Sequence, residues 1–119
     1  MDIQNIIREI KRANEVEERR IKDRIAQAIK EVERLKVDFL NIDKDMEKMV
    51  LFGSLAEINI ESVYFDIDIA VKSKKYYQLV RRALQSDFKV DVVDLDSIHE
   101  RIKKNIIEKG MIVYEKREG

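Results

Sequence analysis

Leu51-Phe52-Gly53-Ser54-Leu55-Ala56, followed after a short loop by Phe65-Asp66-Ile67-Asp68-Ile69-Ala70-Val71, is the stretch whose reading decides the fold. Met49 to Phe52 is apolar and is stopped by Gly53 and Ser54, the pattern of a short buried strand entering a turn. From Val63 to Val71, Phe65, Ile67, Ile69 and Val71 alternate with Tyr64, Asp66, Asp68 and Ala70, which predicts a second strand with two distinct faces. Side chains two apart on a strand share a face, so Asp66 and Asp68 crowd together. Carboxylates so placed resist ionising together unless a cation neutralises them, and their hard oxygens suit magnesium or manganese.

Outward from this stretch the elements alternate. Ile3 to about Lys36 has no Gly or Pro and predicts one long helix or two in series; Ile21, Ile25, Ala28, Val32 and Leu35 form a narrow apolar stripe. Ile3, Ile7 and Ile10 begin a stripe too, and the polar run from Asn14 to Arg20 breaks its phase except at Val16, so a kink or face change is expected there. Val37 to Lys48 reads as a connection. After the second strand, Ser73 caps a helix over about Lys74 to Gln85 with Tyr76, Tyr77, Val80, Ala83 and Leu84 inward. A third strand covers Phe88 to Leu95. Ser97 and Glu100 have capping-box spacing for a last helix with Ile98, Ile102 and Ile106 inward, Gly110 ends it, and Met111 to Tyr114 form a final strand. This order predicts an α/β (α+β) fold with one mixed sheet flanked by helices: a single domain over residues 1–119, with a helical extension over 1–40 and a motif-bearing core over 49–115.

Composition narrows the function. The chain has 119 residues, with 24 basic and 24 acidic side chains, so no global positive field recruits nucleic acid or an anionic membrane. It has no Cys and a single His, His99, which excludes disulfides, thiolate chemistry and multi-histidine metal sites. His99 stands at a helix start and reads as a surface or capping residue. No apolar run approaches membrane-spanning length and the amino terminus lacks a secretory pattern, so a cytoplasmic location is expected.

Gly53-Ser54, then Asp66-Ile67-Asp68, then Val90-Asp91-Val92-Val93-Asp94 resembles the minimal nucleotidyltransferases of the DNA polymerase beta-like superfamily, in particular the antitoxins that pair with HEPN toxins. The resemblance implies a nucleotidyltransferase fold and an Mg2+-dependent enzyme, with two ions (or Mn2+) held by Asp66, Asp68 and Asp91. It further implies ATP as substrate, bound through Gly53 and Ser54, with AMP passing to a hydroxyl of a HEPN-type protein partner. The two strand faces then separate the later acids. Asp91 shares a face with Lys89 and Val93, whereas Asp94 shares one with Val90 and Val92, and the family pattern selects Asp91. Asp94 is expected to satisfy backbone near the strand end and Asp96 to cap the next helix.

The chain departs from the family where Leu55, Glu57 and Ile58 replace the usual Arg and Gly after Gly-Ser, and Tyr64-Phe65 the usual Asp-Ser before Asp-x-Asp. The alternative reading is therefore a catalytically weak module that acts by complex formation through its amino-terminal helix. Self-association through that helix is left open.

Overall fold

Alternating apolar residues and well-placed turn formers produce the order α1 (Ile3–Ile42), β1 (Lys48–Phe52), α2 (Gly53–Ala56), β2 (Ile67–Lys72), α3 (Tyr76–Ala83), β3 (Val90–Asp94), α4 (Glu100–Lys109), β4 (Met111–Glu115). The structure, a computed structural model, describes residues 2–117. Its four-stranded sheet has the order β3-β2-β1-β4. β1 pairs antiparallel with both β2 and β4, while β2 and β3 are parallel, so the sheet is mixed as expected.

The period-two alternation of β2 sends its side chains into two separate apolar clusters. Ile67, Ile69 and Val71 pack with Ala28, Val32, Leu35 and Phe39 of α1 and Leu79 of α3. Ala70 faces the other way, with Val50, Leu95 and Ile106 of α4. Phe39 is fully buried, and burial of a side chain this size contributes about 2–3 kcal/mol. Asp68 is two residues from Ala70 and so lies on the α4 side of the sheet.

α1 is one unbroken helix of 40 residues, capped by the Asp2 side chain, which accepts from the Asn5 backbone N–H at 2.8 Å. It runs through the expected break near Asn14 and absorbs the expected connection as far as Ile42. Val16 does not carry the stripe, since it points to solvent; Asn14 and Glu17 fall in phase with Ile10 and Ile21 instead. The buried residues of α1 all come from its second half, between Ala28 and Phe39.

β2 begins at Ile67, later than the expected Val63. β1 ends opposite Asp68 and turns into α2, so residues before Ile67 have no strand to pair with on that side. There the Ser62 hydroxyl accepts from the Tyr64 N–H at 3.1 Å, a local turn that competes with strand pairing. In α3 the buried residues are Leu79 and Ala83, while Tyr77 and Leu84 point outward. The helix starts at Tyr76, and its roll is set by the Tyr76 hydroxyl donating to the Val92 carbonyl at 2.5 Å and by Arg82 meeting Asp38 at 2.6 Å. α4 begins at Glu100 with His99 as its cap, Nδ1 accepting from the Arg101 N–H at 3.1 Å, so neither Asp96 nor a Ser97 box starts it. Ile106 is its buried position and Ile102 is exposed. Gly110 ends the helix as expected. No helix of the described residues is long and apolar enough to cross a membrane.

Candidate active site

Gly53 has φ of 76°, in the left-handed region that other residues enter at a cost. Strand pairing sets Phe52 opposite Asp68, and the turn at Gly53 folds the backbone over that carboxylate. A Cβ at position 53 would collide with the Asp68 Oδ2. The position therefore favours glycine for its backbone angle, and any larger residue would also have to displace the Asp68 carboxylate.

The parallel register places Asp68 opposite Asp91, on the same face by alternation. Asp66 lies just before β2, with its Oδ2 3.6 Å from the Lys89 Nζ. Burial pushes the Asp68 carboxyl above the usual carboxylate range, and the negative charges of Asp91 and then Asp66 push it further, with Lys89 opposing. The fold thus brings the three expected acids into one electrostatic group centred on Asp68. Among the described residues, no three acidic or histidine side chains converge closely enough to hold a metal ion in this conformation. Three mutually repelling carboxylates still fit a hard divalent cation by their chemistry, and Lys89 supplies only a partial, exposed counter-charge to Asp66.

Ser54 stands at the start of α2 and lines a polar cleft of about 330 Å³ with Asn59, Glu61, Ser62, Tyr64 and Phe65. Its carbonyl accepts from the Asn59 N–H at 2.9 Å, which folds the loop after α2 back on the Gly-Ser turn. Glu57 is exposed at the end of α2. Asp94 stays out of the group: its Oδ1 accepts from the Asp96 N–H at 3.0 Å and its Oδ2 from the Ser97 hydroxyl at 2.9 Å, the local role expected of it. Sequence reasoning missed Lys89 as the cation beside Asp66. Its place two residues before Asp91, on the same strand face, was the available signal.

A glycine turn over an aspartate in a mixed sheet, with a second carboxylate in register on the neighbouring parallel strand, defines a nucleotidyltransferase-type fold. Residues 33–119 match the family described as polymerase beta, nucleotidyltransferase, and the chain belongs to that family. It is a nucleotidyltransferase by this membership. Among solved structures it is similar to a toxin-antitoxin crystallised with AMP-PNP (24% identity, TM-score 0.58, 71% of this chain and 74% of that one). It is also similar to a mutant of the toxin-antitoxin MntA-HpeT (25% identity, TM-score 0.55, 71% and 73%). A candidate nucleotidyltransferase from Sulfolobus solfataricus shares 16% identity at TM-score 0.59, over 81% of this chain and 87% of that one. No curated protein matches the chain significantly.

Proposed function

We propose that this nucleotidyltransferase moves AMP from ATP to a hydroxyl of a partner protein, and that it serves as the antitoxin of a HEPN-type toxin. The observation that carries the reading is the Asp68 group: Gly53 folded over Asp68, with Asp91 in register beside it. The toxin-antitoxin likenesses, one of them with AMP-PNP, support the partner and the nucleotide.

In this reading Gly53 and Ser54 receive the triphosphate, the glycine by letting backbone approach and the serine by donating its hydroxyl. Asp66, Asp68 and Asp91 would hold two magnesium ions, which lower the pKa of the attacking hydroxyl and stabilise the leaving pyrophosphate. Asp91, the most exposed of the three acids, faces the acceptor and takes the hydroxyl proton as the acceptor oxygen bonds to the α-phosphorus. The bond from that phosphorus to the bridging oxygen breaks, and pyrophosphate leaves. Lys89 releases Asp66 as this occurs, because its exposed contact is worth less than about 1 kcal/mol.

Isothermal titration of ATP with magnesium, run beside a transfer assay with labelled ATP, tests the site. Asp66→Asn and Asp91→Asn should each lose transfer and weaken magnesium-dependent ATP binding. Unchanged binding and transfer in both variants rejects the metal-site assignment. The second reading, a weak module acting by complex formation, draws on the Asp66–Lys89 contact and the missing arginine after Gly-Ser. Toxin silencing that survives Asp66→Asn would favour it.

A further inference from the structure

The first half of α1 carries an apolar face that nothing else among the described residues covers. Ile3, Ile7, Ile10 and Ile21 lie on the same side of the helix as the buried Ala28, Val32, Leu35 and Phe39, so one stripe continues past the edge of the sheet into solvent. There Ile3 is 73% and Ile10 55% exposed. The positions Ile3, Ile7, Ile10, Asn14, Glu17 and Ile21 alternate spacings of four and three, the seam of a two-helix coiled coil with two polar members at its middle. The second feature is an apolar groove of about 390 Å³ beside the second half of the same helix. Ile25 and Ile29 of α1, Ile58 of the loop after α2, and Met111 and Ile112 on edge strand β4 form its walls.

We propose that α1 pairs antiparallel with α1 of a second copy of this chain, with Ile3 of each copy reaching the edge of the other's groove. Charge complementarity selects this arrangement, which does not rest on the transferase reading. In an antiparallel pair the residues flanking the seam meet their own kind across the two-fold axis. When Asn14 faces Glu17 of the second copy, Ile10 faces Ile21 and Lys11 lies across from Glu18, each pair occurring twice. The Asn14 amide then donates to the Glu17 carboxylate. Ile3 comes level with Ala28 of the second copy, beside the Ile25 and Ile29 wall of the groove.

The neighbouring registers are disfavoured by like charge. A shift of one heptad in one direction sets Lys11 against Lys11 and leaves Ile3 level with Ile21, about 10 Å short of the groove wall. The opposite shift sets Glu18 against Glu18. A parallel pair sets Lys11 across from Ile6, Glu18 from Ala13 and Arg20 from Ile25, with no ion pair in any of them. Among the described residues neither Lys11 nor Glu18 has an ion-pair partner within its own chain, and both are exposed. Both charges are thus free to serve the pairing.

Sedimentation velocity and light scattering on the full chain test the proposal. The protein should run as a dimer, and Ile10→Glu, at a position exposed in the single chain, should run as a folded monomer by circular dichroism. Lys11→Glu and Glu18→Lys should each weaken the dimer about tenfold, and the double swap should restore it. Because the chain has no Cys, Lys11→Cys mixed with Glu18→Cys should form a disulfide dimer, while Lys11→Cys alone should not. A wild-type monomer at tens of micromolar overturns the proposal, and would leave the stripe to another protein. A dimer indifferent to both charge reversals, or one cross-linked by Lys11→Cys alone, overturns the antiparallel register.

Discussion

Asp68 is held in a form that the fold itself disfavours. Its carboxyl is raised above the ordinary value by burial, then by Asp91 and Asp66. The native state therefore binds that proton more tightly than the unfolded chain. Stability contributed at this site is greatest at low pH and falls as pH rises from the ordinary carboxylate value through the raised one. As the site ionises, the native protein takes on the repulsion from Asp91 and Asp66. Asp68→Asn removes the charge while keeping the shape, so in chelator at neutral pH it should melt above the wild type, with a flatter dependence on pH. Magnesium should then raise the melting temperature of the wild type more than that of the variant, since binding to the native state alone stabilises it. Thermal melts with chelator and with magnesium measure both. A variant that melts below the wild type in chelator would show that Asp68 is a structural acid rather than a frustrated ligand. Strand alternation put Asp68 and Asp91 on defined faces, but the choice of Asp91 over Asp94 came from the family resemblance. The Asp66–Lys89 contact was legible only on the Lys89 side, since Asp66 precedes the strand and alternation does not fix its direction.

α1 is two segments with different duties joined in one helix. From Ala28 to Phe39 it supplies core to the sheet, with Val32 and Leu35 against Ile67, Ile69 and Val71. From Ile3 to Arg20 only Glu17 is even partly buried. Removing residues 1–36 would delete core and unfold the protein, since each large aliphatic lost from a core costs about 2–5 kcal/mol. A cut before Ile21 spares that core. A chain starting there should melt within a few degrees of a full-length chain made monomeric by Ile10→Glu, and should itself be monomeric. A large loss of stability in the monomeric truncation would mean that the overhang packs on its own chain. Helical periodicity made the inner stripe readable here, yet it could not say where the sheet ends beneath the helix. α3 shows the same limit: Leu79 and Ala83 face inward while Tyr77 and Leu84 do not, because contacts to Val92 and Asp38, distant in sequence, set the roll of a helix of eight residues.

At the scale of the whole molecule the strand order β3-β2-β1-β4 separates the two surfaces that matter. The acids sit at the β2–β3 junction, and β4, with the apolar groove, forms the opposite edge. The element order was readable from the chain, but the order of strands across the sheet is set by long-range pairing and was not. One segment nevertheless reaches both surfaces. Ile58 and Ile60 line the apolar groove, and Asn59, Ile60 and Glu61 line the polar cleft beside Ser54. Ile58 has φ of 55°, a left-handed angle that a β-branched side chain enters at a cost of about 1–2 kcal/mol. A second copy seated on Ile58 would restrict this strained loop and with it the wall of the cleft. Nucleotide binding and pairing should then be coupled, and linkage makes the coupling reciprocal. The Ile10→Glu monomer should bind ATP with magnesium about fivefold more weakly than the dimer, and the nucleotide should tighten the dimer by a matching factor. Titration calorimetry on the two proteins and sedimentation of the wild type with and without nucleotide read the two sides independently. Equal affinities with an unchanged dimer would mean that the loop accommodates each ligand separately and that the two edges of the sheet work as independent sites.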